Sequence, residues 1–109
     1  MTYQVRLTES AQTDLEQRFL ALAENSPEAA ERLLANFNTG LLRLRNLPLS
    51  CGFAYENHFF GDELRHLLFG TSRKRLYRAI FAVREDQVLI LAIRAPGEHP
   101  IRPEDVGRR

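Results

Sequence analysis

With 109 residues, 44% of them apolar and 27% charged, the chain has material for one hydrophobic core, and its composition excludes a disordered or fibrous protein. Its densest apolar run, Val88–Ile93, is far too short to span a bilayer, and the opening Met1-Thr2-Tyr3-Gln4-Val5-Arg6 lacks the basic-then-apolar pattern of a secretory signal. One cysteine, Cys51, excludes an internal disulfide, so a reducing, cytoplasmic setting with no membrane partner is expected. The net charge of +1 hides an asymmetry. Leu49 to Glu63 carries Glu56, Asp62 and Glu63 with no cation, whereas Leu64 to Arg94 carries Arg65, Arg73, Lys74, Arg75, Arg78, Arg84 and Arg94 against only Glu85 and Asp86. Such a concentration suits a polyanion or an acidic protein partner, or simply a solvated basic face.

Tyr3, Val5 and Leu7 alternate with polar residues, the period of a half-buried strand. A helix follows, capped by Thr8 or Ser10, with Ala11, Leu15, Phe19 and Leu22 on one side and an end near Glu24-Asn25. Ser26-Pro27-Glu28 opens a second helix: the serine can accept a bond from an orphan amide, and proline suits the first helical position. Its apolar stripe is Ala30, Leu33, Leu34, Phe37, Leu41 and Leu44, and Leu47-Pro48 ends it. So short a link makes the two helices an antiparallel hairpin.

Leu49 to Asp62, irregular and bearing Gly52 and Gly61, reads as a surface connection. Glu63 to Phe69 is a candidate strand closed by Gly70-Thr71-Ser72. Leu76 to Val83 and Val88 to Arg94 form a hairpin around Arg84-Glu85-Asp86-Gln87. Val88 to Ile93 is apolar on both parities and so reads as a central strand buried on both faces. The fold class expected is α+β: an N-terminal strand, a helical hairpin, then a three-stranded antiparallel meander. Residues 1–95 form the single domain, and residues 96–109, with Pro96, Gly97, Pro100 and Pro103, form an irregular tail. The helices cover one sheet face, and a site is expected on the other.

Two stretches carry a family resemblance. Pro27-Glu28-Ala29-Ala30-Glu31-Arg32-Leu33 is similar to the start of the second helix in ParE-type toxins. Glu63 to Gly70, Tyr77-Arg78-Ala79-Ile80-Phe81 and Val88 to Arg94 resemble the three C-terminal strands of RelE/ParE toxins. The resemblance implies the toxin of a type II toxin–antitoxin module, neutralised by a cognate antitoxin that wraps it, with no cofactor. It also implies one of two targets. RelE-like members cleave mRNA in the ribosomal A site without metal, whereas ParE-like members lack a full catalytic set and inhibit DNA gyrase. The long helical hairpin looks more ParE-like, which favours gyrase or another protein target over the ribosome and its mRNA.

Metal-free RNA cleavage needs a base for the 2′-hydroxyl, an acid for the leaving oxygen and fixed cations beside the phosphate. Arg78 matches the arginine after the strand tyrosine in RelE-like enzymes; its bland alternative is an ion pair. Arg65 sits where the family's second strand often carries a basic residue, and His99 lies in the segment where RelE-like enzymes place an acid or base. These three are the catalytic candidates. Arg73, Lys74, Arg75, Arg94 and His66 are candidates for binding nucleic acid or the target, with Arg94 also able to pair with Glu98. Arg65, Arg78 and Arg94 are expected to converge on the uncovered sheet face. Two departures weigh against a nuclease: Ala95 stands where many relatives have histidine, and the second strand offers Arg65 and His66 in place of a lysine pair. No metal is expected, since His58, His66 and His99 lack ligand spacing, and Cys51 reads as a small apolar residue.

Overall fold

The computed structural model describes residues 2–59 and 63–102. The chain runs β1 (Gln4–Leu7), α1 (Glu9–Asn25), α2 (Pro27–Asn46), two short 3-10 turns (Pro48–Ser50 and Tyr55–Phe59), β2 (Leu64–Ser72), β3 (Arg75–Arg84) and β4 (Gln87–Arg94). Both helix starts are side-chain capped. Thr8 Oγ1 accepts from the Ala11 amide at 3.1 Å, and the hydroxyl donates to Leu91 O at 3.2 Å. Ser26 serves both helices: its N–H bonds Leu22 O at the end of α1, and its Oγ accepts from the Ala29 amide to begin α2. Each cap stabilises its helix by about 1 kcal/mol.

The four strands form one sheet in the order β1-β4-β3-β2, with β1 parallel to β4 and the other pairs antiparallel. β4 is central, as its apolar run requires. The helical hairpin covers one face, where Leu33, Phe37 and Leu44 of α2 pack with Leu67, Phe69, Tyr77, Ala79, Phe81, Val88, Ile90 and Ile93. Leu34, expected in this stripe, is instead 40% exposed.

The second face, expected to be left partly open by the helices, carries a core of its own. Leu64, Ile80, Ala82, Leu91 and Ala92 form their own buried cluster, roofed by Ala54 and Ile101. A register shift between Ile80 and Phe81 lets Ala92 pair with Ile80 and Ile90 with Phe81, so Leu91 is the extra residue and turns to this side. The segment after α2 is therefore more than a surface connection. It folds back along β2, with Ala54 N–H bonded to Leu64 O and His66 N–H to Gly52 O, and it buries Cys51, Ala54 and Glu56. Gly61 lies outside the described residues. The tail stays irregular but is tied down as far as Ile101, and residues beyond 102 lie outside the described range.

Gly70-Thr71-Ser72, read as closing the strand, is itself part of β2; the turn is Arg73-Lys74, and β3 starts at Arg75. The β2–β3 register shifts between Gly70 and Ser72, and a Cβ at Gly70 would collide with the backbone oxygen of Arg75. Backbone on both sides leaves nothing to yield. Gly70→Ala should therefore lower stability by about 1–3 kcal/mol, seen as a lower urea midpoint at unchanged slope. A loss below about 0.5 kcal/mol would refute the close approach.

Candidate functional site

Arg78 of β3 lies in register with Leu68 of β2 and Arg94 of β4, so its side chain shares the second face with His66, Ile80 and Arg94. Two guanidinium groups on directly opposed positions repel unless each meets a carboxylate. Both do. Arg94 pairs with Glu98 at 3.6 Å, and Glu98 also takes Arg18 of α1 at 2.6 Å. Arg78 meets Glu56 in a two-pronged pair, Nη1 to Oε1 at 2.9 Å and Nη2 to Oε2 at 2.8 Å.

Glu56 is 0% exposed, and its Oε2 also accepts the Ile101 amide at 2.9 Å. Burial pushes its pKa up, but the Arg78 hydrogen bonds, the Ile101 amide and the Arg78 charge outweigh that and hold it below the ordinary carboxylate value. Tyr55 lays its ring under the Arg78 guanidinium, 4.8 Å from carbon to centroid, and meets the His66 ring edge-on at 5.3 Å. His66 Nδ1 stands 3.4 Å from Arg78 Nη1. A guanidinium only donates, so this contact assigns the lone pair to Nδ1 and the proton to Nε2. Burial first, then the Arg78 charge, lowers the His66 pKa against the pull of Glu56, so the ring is mainly neutral at pH 7.

The three arginines expected to converge do not. Arg65 lies opposite Phe81, on the parity that faces the helices, whereas Arg78 and Arg94 occupy the other side. Strand alternation separates them, since Arg65 differs from His66 by one position. Arg65 is bound locally, donating to Cys51 O at 2.6 Å, pairing with Glu63 at 2.9 Å and stacking on Phe53 at 4.4 Å. Arg73, Lys74 and Arg75 are exposed at the far end of the β2–β3 hairpin, and His99 is exposed in the tail. Sequence reading offered Glu98 as one of two roles for Arg94 but missed Glu56, which sits in an irregular segment without periodicity. It also missed Asp14, which accepts the Ile93 amide at 3.0 Å on the edge of β4 that β1 is too short to reach. Among the described residues no group of three His, Cys, Asp or Glu could hold a metal ion, and no helix is long and apolar enough to cross a membrane.

Arg78 is thus a cation already neutralised by its own chain. Removing either partner leaves the other charge buried, so Arg78→Met or Glu56→Ala should cost about 3–5 kcal/mol, with a large coupling in the double-mutant cycle. The sign of the pH effect follows from the lowered pKa of Glu56. Its contribution is present above the unfolded carboxylate value and is lost as pH falls through the lower folded value. Urea midpoints measured down the acid limb should therefore fall less steeply in Glu56→Gln than in the natural protein. Equal slopes would rule out the ionised pair.

A family model described as the ParE toxin of the type II toxin–antitoxin system parDE matches residues 5–99. Comparison with curated proteins finds no match. Among solved structures, a chain of the chromosomal ParDE TA system from P. aeruginosa is 20% identical with a TM-score of 0.66, the alignment covering 86% of this chain and 96% of that one. A chain of the archaeal RelE-RelB complex from Pyrococcus horikoshii OT3 is 18% identical with a TM-score of 0.45, covering 91% and 100%. At its identity the P. aeruginosa likeness bears on the fold, which agrees with the strand, helical hairpin and mixed sheet found here. The family model spans nearly the whole described domain, and the chain belongs to the ParE toxin family of type II toxin–antitoxin systems.

Proposed function

We propose that this protein arrests growth when free of a cognate antitoxin, and that its cytoplasmic target is a protein, DNA gyrase being the leading candidate, in place of ribosome-bound mRNA. The observation that carries the choice of target is the Glu56–Arg78 pair. A metal-free ribonuclease needs an available cation where phosphate charge grows, with base and acid on either side. Here Arg78 spends both terminal nitrogens on Glu56, Arg65 faces the other side of the sheet, and His99 is an exposed tail residue. His66 is neutral and suited to accept a proton, yet the cation beside it is taken. A binding protein needs none of this machinery and loses nothing by filling it.

Induced expression without the neighbouring antitoxin gene should stop growth, and co-expression of that gene should restore it. Normal growth on induction would remove the toxin reading. Purified protein should block supercoiling in a gyrase assay and leave mRNA on translating ribosomes intact. Cleavage at the ribosomal A site, abolished in a folded Arg78→Lys variant, would replace the protein target with the RelE-like alternative.

A further inference from the structure

The β2–β3 hairpin reaches past the rest of the sheet. The last β3–β4 pair is Arg78 with Arg94, but β2 and β3 continue through Phe69–Tyr77, Gly70–Leu76 and Ser72–Arg75. At roughly 3.3 Å per residue this two-stranded ribbon overhangs β4 by about 10 Å. Its tip is Arg73-Lys74-Arg75, three consecutive exposed cations. The other arginines of β2 and β3 with assigned partners have carboxylates: Arg65 has Glu63 and Arg78 has Glu56. No ion pair or side-chain hydrogen bond among the described residues engages the side chains of Arg73, Lys74 or Arg75. We propose that this tip is a docking surface for the phosphate backbone of duplex DNA, independent of which protein the toxin inhibits.

Rigidity supports a binding role. The overhang is braced from α2 by Asn36 Nδ2, which donates to Gly70 O at 2.5 Å, and by the Phe37–Phe69–Tyr77 ring series with centroids 5.1 and 5.8 Å apart. The cations are therefore presented on a fixed scaffold, which reduces the ordering entropy of binding. A groove of about 420 Å³ runs beside the hairpin. Arg43 and Arg73 line it together with Asn36 and Thr39, and among the described residues no carboxylate does. An acidic peptide lying in that groove would reach Arg43 and Arg73 but leave Lys74 and Arg75 unused, because neither lines it. Charges recurring at phosphate spacing along a duplex meet the whole tip, and a two-stranded ribbon is narrow enough to enter the major groove. Single strands are bound on aromatic platforms. The exposed aromatics among the described residues, Phe53 and Tyr55, lie instead toward the opposite end of β2, where Phe53 bridges Arg65, eight residues and about 26 Å from Arg73.

The test is fluorescence anisotropy of the full chain with a labelled mixed-sequence duplex, titrated at stepped salt and compared with R73Q/K74Q/R75Q. These residues are exposed, so the variant should unfold at the same urea midpoint as the natural protein. Three phosphate contacts predict an affinity loss of about 40-fold between 50 and 200 mM salt. The triple variant should bind at least about tenfold more weakly at low salt, with a nearly flat salt dependence. No duplex binding at 50 mM salt, or equal affinity and slope in the variant, would overturn the proposal. So would tighter binding of a single-stranded oligonucleotide than of the duplex. Preferential, cation-dependent binding of a labelled polyglutamate chain would reassign the tip to an acidic protein partner.

Discussion

A carboxylate with no exposure to water is the constraint on which the second face of this molecule depends. Burying Glu56 alone would cost several kcal/mol, and the chain offsets that cost with a guanidinium and a backbone amide. Those partners come from β3 and from the tail, while Glu56 belongs to the segment between α2 and β2. Three stretches far apart in sequence are thereby locked at one point. The roof over Leu64, Ile80 and Ala92 cannot assemble piecemeal, because Ala54 and Ile101 reach their places through the segments that this carboxylate joins. Glu98 repeats the device on a more exposed scale, bringing Arg94 of the sheet and Arg18 of α1 to the start of the tail.

The central strand shows why such ties are needed. β1 pairs with β4 only as far as Ile90, so among the described residues the rest of that edge has no strand beside it. The Thr8 hydroxyl meets the Leu91 carbonyl there, and Asp14 meets the Ile93 amide, so α1 takes over the hydrogen bonding that a longer β1 would supply. The irregularity between Ile80 and Phe81 also turns Leu91 toward the second face, which enlarges its apolar area and makes a roof necessary. Bulge, side-chain ties and roof are one solution to a short first strand.

Much of this was legible in the sequence because it follows local rules. Thr8, one of two cap candidates with Ser10, and Ser26 mark the two helix starts, the apolar stripe of α2 announces its buried face, and Val88 to Ile93 announces a strand covered on both sides. What was not legible depends on long-range pairing. Glu56 lies 22 residues from Arg78 in a stretch without periodicity, so nothing local marks it as buried. Arg65 was grouped with Arg78 and Arg94 although strand parity alone does not relate residues on different strands. Register does, and β2 pairs Arg65 with Phe81, one step out of phase with the grouping. The single cysteine was read correctly as packing material: Cys51 is buried, and burial raises its thiol pKa against the lowering influence of Arg43 and Arg65.

The chemistry of the Arg78 site bears on how a toxin scaffold divides between cutting and binding. A guanidinium presented edge-on to two oxygens serves a phosphate or a carboxylate equally well, since both offer paired acceptors at the same spacing. In this chain the two oxygens are covalently tethered and buried, so they act at an effective concentration that a diffusing phosphodiester must overcome along with the cost of leaving Glu56 unpaired. Arg78 thereby serves cohesion of the fold, with Tyr55 and His66 packed around it as walls. Arg73, Lys74 and Arg75, by contrast, stay exposed at the overhanging end of β2 and β3. That one basic centre is neutralised while another stays in water is a consequence of strand register more than of composition.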